Sequence, residues 1–253
     1  MKKTILTLGL ASAFLLSGCH SESPQPEHTS LHHEAHGHHW NYAENGPAHW
    51  EKFSKTCGVG IHQSPVNIEP GKTVEMSQEY DLTMHENINS MAKIIDNGHS
   101  IKVTPSQGGT INLNGETFQL VQFHFHGKSE HTVNGKRYDL VAHLVHQNPM
   151  TKQLAVVAVF FEEGGASPIL TTILNNVGKS AEINAQDLLP TNERSYFHYV
   201  GSLTTPPCSE NVQWYLLKNP MTASKEQIEQ FRKYYVDNER PVQELHDRVM
   251  ESN

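Results

Sequence analysis

The sequence predicts a mixed α+β fold in which one large sheet dominates and helices are few. Short runs rich in β-branched and aromatic residues recur along the chain, among them FQLVQFHF at 118–125, DLVAHLVH at 139–146 and LAVVAVFF at 154–161. Turn signals separate these runs, such as Asn-Gly at 114–115 and 134–135, and this pattern is typical of strands joined by tight connections. Only two segments carry clear helical signals, so the sheet is the main element.

Both predicted helices are marked by their caps. The first begins after Ser167, with Pro168 at its first position, and Gly178 marks its end. The second follows Ser224, and Gln227 three residues later completes a capping box. Apolar residues recur at helical spacing in the first segment, which favours packing of one helix face on the core.

The first 18 residues are predicted to be a lipoprotein signal peptide. Two lysines precede an apolar run from Ile5 to Leu16, which is shorter than a membrane-spanning helix requires. The run ends in LSGC, which resembles a bacterial lipobox and predicts a lipid on Cys19; an ordinary secretory signal is the alternative. The predicted location is the periplasmic side of a membrane, held through this lipid only, with the outer membrane favoured.

Residues 19–37 are predicted to be a flexible, histidine-rich tether. Between residues 20 and 39 the chain has seven histidines, two prolines and almost no apolar side chains. A spacer that holds the domain away from the membrane is the simpler interpretation, and loose binding of extra metal by residues 20–39 is the alternative. Residues 38–251 form the one predicted folded domain.

Charge and cysteine content narrow the classes of function. The formal net charge is −8, so the chain offers no overall basic surface and no nucleic-acid partner is expected. If Cys19 carries lipid, Cys57 and Cys208 remain as a pair in an oxidising compartment, which predicts a disulfide between them. Two separate buried thiols are the alternative.

Two histidines lie one residue apart in a predicted strand. Side chains alternate along a strand, so Gln122, His124 and His126 share one face. The opposite face is predicted to carry the apolar residues Val121, Phe123 and Phe125. The histidines would therefore project together while the apolar face packs behind them.

A third histidine is predicted to lie beside this pair. Asn134-Gly135 favours a two-residue hairpin, whose register would place His126 opposite His143. Three converging imidazoles suit a zinc ion, and three protein ligands leave a fourth position open, as catalytic sites require. Gln122 is a candidate to hold the other ring nitrogen of His124. A set of buried, hydrogen-bonded histidines is the alternative.

Several motifs together resemble the α-class carbonic anhydrases. They are QFHFH at 122–126, SEHTV at 129–133, AHLVH at 142–146, GSLTTPPCSE at 201–210, HHWNYAENGPAHW at 38–50, QSPVNI at 63–68, DNGH at 96–99 and RPVQ at 240–243. The resemblance covers about residues 38–249. It implies a large central, mainly antiparallel twisted sheet of ten strands, a few peripheral helices, and a conical cleft that ends at zinc.

The resemblance also implies a role for individual residues of that cleft. The zinc ligands would be His124, His126 and His143. The catalytic residues would be His99 as proton shuttle, Thr204, which donates to Glu130 and orients the nucleophile, and Glu130 itself. Substrate would be bound by Thr205 and by an apolar wall of Val145, Val156, Leu203 and Trp214. Cleft water would be ordered by Tyr42 and Asn97. The family's secreted members carry a disulfide at the positions of Cys57 and Cys208.

The implied function is the reversible hydration of CO2 to bicarbonate and a proton by zinc-bound hydroxide, with one zinc ion per chain. Sulfonamides and anions are the expected inhibitors, a minor esterase activity is expected, and a homodimer is left open. Two other functions are considered. One is a zinc-storing lipoprotein without enzymatic activity, and the other is an esterase-like zinc hydrolase.

Three positions depart from the family pattern. Val141 replaces a glutamate that usually holds the free nitrogen of the third ligand, so His143 must find another partner. Lys102 stands where better-known members have asparagine, and a cation there could hold anions or shift the proton affinity of the shuttle. Glu244 replaces a proline, at a position expected to lie on the surface.

Overall fold

The computed structural model describes residues 39–77 and 81–253. The predicted signal peptide, the lipid on Cys19 and the tether of residues 19–37 lie outside the described residues. The chain divides into Met1–Gly37 and His38–Asn253, and the described elements all lie in the second of these units. Within the described part, no helix is both long and apolar enough to cross a membrane.

The described elements are mostly strands. In chain order the strands are β1 (Asn67–Ile68), β2 (Val74–Glu75), β3 (Leu82–His85), β4 (Asn89–Asp96), β5 (Ile101–Pro105), β6 (Thr110–Leu113), β7 (Glu116–His126), β8 (Thr132–Val133), β9 (Leu140–Gln147), β10 (Leu154–Glu163), β11 (Ser180–Asn184), β12 (Tyr196–Ser202), β13 (Glu210–Leu217), β14 (Met221–Ala223) and β15 (Glu251–Ser252). The α-helices are α1 (Thr56–Val59), α2 (Pro168–Asn175) and α3 (Lys225–Arg232). Short 3-10 helices span Pro47–Lys52, Pro70–Lys72 and Ala185–Leu188.

One large sheet organises the domain, as predicted. Its main path is β11-β4-β5-β7-β9-β10-β13-β12-β15-β2, and β3, β6 and β14 pair beside this path. The described sheet thus has thirteen strands, ten of them on the main path, whereas the family resemblance implies a sheet of ten. Most neighbouring strands are antiparallel, and β13 and β14 run parallel to β10. The strands β1 and β8 form a separate two-stranded parallel pair.

The two faces of this sheet pack in different cores. Phe123 and Phe125 belong to the larger core, together with the buried faces of α2 and α3. The other face carries a smaller core that includes Val141, Val156 and Trp214. This division follows from the alternation of side chains along strands. The helices therefore cover one face of β7 and β9, and the histidines project from the other.

Both predicted N-terminal helix caps are present, but α2 ends at Asn175 with Asn176 as its C-cap, before the predicted end at Gly178. The Ser167 hydroxyl accepts from the backbone N–H of Leu170 at the start of α2. Ser224 and Gln227 form the complete capping box at the start of α3. The Gln227 side chain also reaches the backbone of Ser167: its Oε1 accepts from Ser167 N at 2.9 Å, and its Nε2 donates to Ser167 O at 2.6 Å. One buried amide thus joins the two helix starts.

The predicted register between β7 and β9 was wrong by two residues. His143 is opposite His124, and His126 is opposite Val141. The two-residue turn at Asn134-Gly135 is present, and Val133 pairs with Lys136 across it. The hairpin does not continue from there, however, because β8 leaves to pair with β1. A shift of two residues keeps every side chain on its predicted face, since strands have a period of two.

Val121 was also assigned wrongly. The register between β7 and β9 shifts between Leu120 and Gln122, so Val121 lies in a bulge. Its side chain is 46% exposed, whereas Phe123 and Phe125 are buried as predicted. A bulge inserts one unpaired residue and so interrupts strict alternation, and nothing in this run of residues marks its position.

Candidate metal centre and active-site cleft

Three imidazoles converge on one point of the sheet face. His124 and His126 project from β7, and His143 projects from β9 directly opposite His124. One nitrogen from each ring lies within 4.8 Å of the others. His126 and His143 are buried. Because the two strands are neighbours in the middle of the sheet, the hydrogen-bonded ladder fixes the separation of these rings.

Two of the rings are oriented by hydrogen bonds to their outer nitrogens. His124 Nδ1 donates to Gln122 Oε1 at 3.0 Å, and His126 Nδ1 donates to the carbonyl of Asn238 at 2.6 Å. Because these oxygens can only accept, each of the two rings is assigned its proton on Nδ1. The lone pair of each ring is then on Nε2. His126 Nε2 is buried and makes no hydrogen bond to the described residues. This donor set fits a zinc ion with an open fourth position.

Two of the rings, His124 and His143, are also favoured in the neutral form that metal binding requires. Burial lowers the pKa of His124 well below its ordinary value, and the electrostatic contributions of His126 and Lys102 lower it further. Burial likewise lowers the pKa of His143, with added contributions from His126, His124 and His131. A neutral imidazole offers its lone pair without first losing a proton, so this environment favours metal binding near neutral pH.

A buried carboxylate lies next to the three rings. Glu130 is fully buried, and its Oε1 accepts from the backbone N–H of Arg240 at 2.9 Å. Its Oε2 lies 3.4 Å from His126 Nε2 and 3.8 Å from His143 Nδ1. The predicted hydrogen bond from Thr204 to Glu130 is not formed: among the described residues Oε2 has no hydrogen-bond partner. The carboxylate oxygen faces the polar edge of the imidazoles instead of the Thr204 hydroxyl.

The predicted apolar wall is a continuous patch beside the metal centre. Val156 is opposite Val145 in β9 and opposite Trp214 in β13, so these three side chains share one face. Leu203 packs against the same core, and the Trp214 ring lies 4.9 Å from the His143 ring. Trp214 Nε1 donates to the carbonyl of Ser202 at 2.9 Å, which fixes the indole. The wall therefore offers a rigid, uncharged surface next to the imidazoles.

Comparisons with known proteins identify the family. Residues 45–253 match the model of the eukaryotic-type carbonic anhydrases. The carbonic anhydrase of Pectobacterium carotovorum is 40% identical over 225 residues, which cover 84% of this chain and 90% of that protein. This chain belongs to the α-class carbonic anhydrases. As an enzyme of this family, it catalyses the hydration of CO2.

Solved structures of other carbonic anhydrases have the same fold. The α-carbonic anhydrase of Thermovibrio ammonificans, solved in complex with the inhibitor sulfanilamide, gives a TM-score of 0.79 at 39% identity. That comparison covers 85% of this chain and 99% of the other. The enzyme of Photobacterium profundum gives 0.77 at 37% identity, over 84% of this chain and all of that one. The resemblance drawn from the sequence motifs is therefore confirmed at the level of family, fold and enzyme class.

His99 of this carbonic anhydrase is stacked on an indole. Its ring is 3.7 Å from the Trp40 ring, with the two planes 14° apart. Burial lowers the pKa of His99; the nearby His39 lowers it further, and Asp96 acts in the opposite direction. Asn97 is used within the chain, because its Oδ1 accepts from the backbone N–H groups of His99 and Ser100.

Two further predicted residues lie near the cleft without contacts that reveal a role. The Tyr42 hydroxyl is buried and has no hydrogen-bond partner among the described residues, and burial raises the pKa of this group well above its ordinary value. The carbonyl of Thr205 accepts from the backbone N–H of Cys208 at 2.8 Å. That turn is anchored by the predicted disulfide between Cys57 and Cys208, which is present.

The consequence of valine at position 141 is visible around the third imidazole. His143 Nε2 is buried and makes no hydrogen bond to any described residue. The neighbouring His131 forms a hydrogen bond between its Nε2 and the Tyr199 hydroxyl at 2.6 Å. Its Nδ1 is also buried and has no partner in the described part of the chain. Val141 lies on the same strand face as His143, two residues before it, and offers neither ring an acceptor.

Sequence reasoning missed several residues that support the site. Arg240 donates through its side chain to Gln63 Oε1 and to the carbonyls of Ser64 and Cys57. Two other residues were missed: Asn238, whose carbonyl accepts from His126, and Trp40, which stacks on His99. Arg240 and Trp40 stand in motifs that carry the family resemblance. The supporting contact of Asn238 is made by its backbone carbonyl, which no side-chain pattern predicts.

Proposed function

We propose that this enzyme is a zinc-dependent carbonic anhydrase in which His124, His126 and His143 hold one zinc ion. The observation that carries the proposal is the convergence of three imidazoles, two of them oriented by hydrogen bonds to Gln122 and Asn238. When bound there, zinc supplies Lewis-acid activation of water near neutral pH, an effect for which the carbonic anhydrases as a class are the standard example.

The chain's own residues supply orientation and a surface for the substrate. Val145, Val156, Leu203 and Trp214 form an uncharged wall on which CO2, which has no net charge, loses little solvation. Glu130 is fixed by Arg240, and its free Oε2 is available as an acceptor for a hydroxyl. Thr204 is buried but makes no hydrogen bond to that oxygen, so no role in orienting the attacking water is assigned to it.

Proton removal is assigned to His99. The hydration reaction releases a proton, and a half-buried imidazole at the edge of the cleft can accept it in its neutral form. Because burial lowers the pKa of His99, the ring stays neutral to a lower pH than a free histidine would. The neutral ring is therefore available to accept a proton down to a somewhat lower pH. The same lowered pKa makes it a weaker base.

Some proposals rest on the sequence alone. They are export, a lipid on Cys19, a periplasmic location with the outer membrane favoured, extra metal binding by residues 20–39, and a minor esterase activity.

The first experiment on the proposed zinc centre is stopped-flow CO2 hydration by the chain from His38 onwards, with zinc counted in the same sample. Fast turnover with one zinc per chain, blocked by an aromatic sulfonamide, supports the proposal. Bound zinc without turnover would favour the zinc-storing alternative.

The shuttle is tested separately with His99→Ala. This variant should retain zinc, and its turnover in weak buffer should fall about 10-fold or more, within the range typical of general acid–base groups. Added imidazole should restore part of the rate. In the wild type, turnover in weak buffer should rise with an inflexion below pH 6.5, since the pKa of His99 is lowered. Unchanged turnover in the variant would remove His99 from the mechanism.

A further inference from the structure

Two lysines lie on the same face of the sheet as the proposed metal ligands. In the pairing of β5 with β7, Lys102 is directly opposite His124. Opposite residues of an antiparallel pair project from one face, with Cβ atoms about 4.5–5.5 Å apart. In the pairing of β4 with β5, Lys93 is opposite Thr104, so it is a diagonal neighbour of Lys102 on that face. The cations therefore extend from the exposed Lys93 to the partly buried Lys102 beside His124.

Neither lysine is neutralised by an acidic side chain. Across residues 39–77 and 81–253, neither Lys93 nor Lys102 makes an ion pair or a side-chain hydrogen bond. The residue opposite Lys102 in β4 is Ile95, and the residue opposite Lys93 in β11 is Ser180. Asp96, the next residue of β4, belongs to the other face by alternation and is hydrogen-bonded there. Glu182, opposite Met91 in β11, is a diagonal neighbour of Lys93 on this face but forms no ion pair with it, and no acidic residue is opposite either lysine.

The charge of Lys102 reaches the metal centre. The strand register places the Lys102 and His124 side chains next to each other. A ligand bound at the three imidazoles would therefore lie within electrostatic range of the lysine.

We infer that Lys102, supported by Lys93, forms an anion subsite on the cleft wall for small monoanions with a bicarbonate or carboxylate group. The inference rests on the proposed function, because the subsite adjoins the proposed zinc ligands. Hydration converts CO2 and water, both neutral, into bicarbonate and a proton. A cation on the wall therefore attracts the product and leaves the affinity for CO2 unchanged. A carboxylate on a bound inhibitor would meet the same charge.

The first test compares three sulfonamides on the zinc-loaded protein by isothermal titration calorimetry. They are benzenesulfonamide and its 3-carboxy and 4-carboxy derivatives. In Lys102→Gln, at least one carboxylated compound should bind about 5–10-fold more weakly than to the wild type, while benzenesulfonamide changes less than about 2-fold. Lys102→Arg should retain the wild-type affinity for the carboxylated compounds, and Lys93→Gln should lose a smaller part of that affinity. Equal changes for all three compounds, or none, would overturn the subsite.

Lys225→Gln is the matched control for net charge. Lys225 is an exposed residue at the start of α3, the helix whose apolar residues pack on the opposite face of the sheet. Its replacement removes one positive charge, as Lys102→Gln does, but from the other side of the molecule. Its affinities for all three sulfonamides should match those of the wild type. A loss equal to that in Lys102→Gln would assign the effect to overall charge and contradict the subsite.

A second measurement does not depend on zinc. The ¹³C resonance of bicarbonate should broaden with added metal-free wild-type protein and should broaden less with metal-free Lys102→Gln. Equal broadening by the two proteins would contradict the subsite. If benzenesulfonamide fails to bind the zinc-loaded wild type while bicarbonate still distinguishes the two metal-free proteins, the metal-centre proposal fails and the subsite stands.

Discussion

At the scale of single residues, the most informative feature is the pair of unpartnered imidazole nitrogens next to Val141. His143 Nε2 and His131 Nδ1 are both buried, and neither makes a hydrogen bond to any residue in the described part of the chain. A buried polar atom without a partner costs free energy, and a ligand ring held from one side only is less well oriented. The valine therefore weakens the support of one proposed zinc ligand.

Replacement of this valine by glutamate should strengthen zinc binding. In Val141→Glu the new carboxylate can accept from Nε2 of His143. Hydrogen-bond partners of metal ligands change metal affinity by about 10–100-fold. Zinc affinity is measured by competition with a chelator of known strength. Val141→Leu is the control, since it changes volume without adding an acceptor. A folded Val141→Glu protein with unchanged affinity would show that His143 needs no such partner.

His131 makes the metal-free protein sensitive to acid. Burial lowers the pKa of its imidazole to about 3, compared with about 6.5 in the unfolded chain. The unfolded state therefore binds more protons between these values, so the stability is fully present above pH 6.5 and is lost as the pH falls toward 3. Between pH 7 and pH 5 this one residue should lower the free energy of unfolding by about 2 kcal/mol.

Urea unfolding of the metal-free protein tests this effect. The drop in stability from pH 7 to pH 5 should be about 2 kcal/mol smaller in His131→Gln, which does not titrate, than in the wild type. The absolute stability of the variant is expected to be lower, because His131 Nε2 contacts the Tyr199 hydroxyl. The comparison therefore uses the difference between the two pH values within each protein. Identical differences would contradict the assigned pKa.

At the scale of elements, the start of α3 depends on one side chain that also serves α2. Gln227 makes hydrogen bonds to Ser167, Thr171 and Ser224. Gln227→Ala removes all of them and leaves buried backbone groups without partners, at a cost of about 2–4 kcal/mol. The measurement is thermal or urea unfolding, with Gln230→Ala on the same helix as control. A loss no larger than in the control would show that water replaces the amide.

The elements also show what the sequence could and could not predict. The starts of α2 and α3 and their N-caps were predicted, because N-capping depends on residues within four positions of each other. The face of each histidine was predicted correctly although the register was wrong, since an error of two residues preserves side-chain direction. The bulge at Val121 was missed, and so was the departure of β8 to pair with β1. Both depend on contacts between distant parts of the chain.

The site shows the same limit. The ligand set and the apolar wall came from a family resemblance and from alternation along strands, and both are local in sequence. The supports of the site are distant from it: Asn238 holds His126, and Arg240 holds Glu130. The missing contact between Thr204 and Glu130 could not be predicted either, because it depends on a small choice of side-chain orientation within the folded cleft.

At the scale of the whole molecule, the disulfide joins positions that are 151 residues apart. Cys57 lies in α1, and Cys208 lies in the loop that carries Thr204 and Thr205. In the chain-entropy description, closing so long a loop contributes about 4–5 kcal/mol by restricting the unfolded chain. The bond therefore stabilises the complete domain and anchors the loop at the cleft.

Replacement of both cysteines by serine should lower the free energy of unfolding by about 4–5 kcal/mol. Urea unfolding of Cys57→Ser/Cys208→Ser at pH 7 measures the loss, and the wild type under reducing conditions should behave in the same way. The control is the wild type kept oxidised. A stability within about 1 kcal/mol of the oxidised protein would show that strain in the folded state offsets the entropic gain.

The position of the proposed ligands in the middle of the sheet has a consequence for amide hydrogen exchange. The strands β7 and β9 are the fourth and fifth of the ten strands along the main path. Backbone amides in such strands exchange with solvent mainly when the whole sheet opens, and not through local fluctuations. An ion held between these two strands would therefore slow exchange throughout the core by a common factor, instead of protecting only the residues around the site.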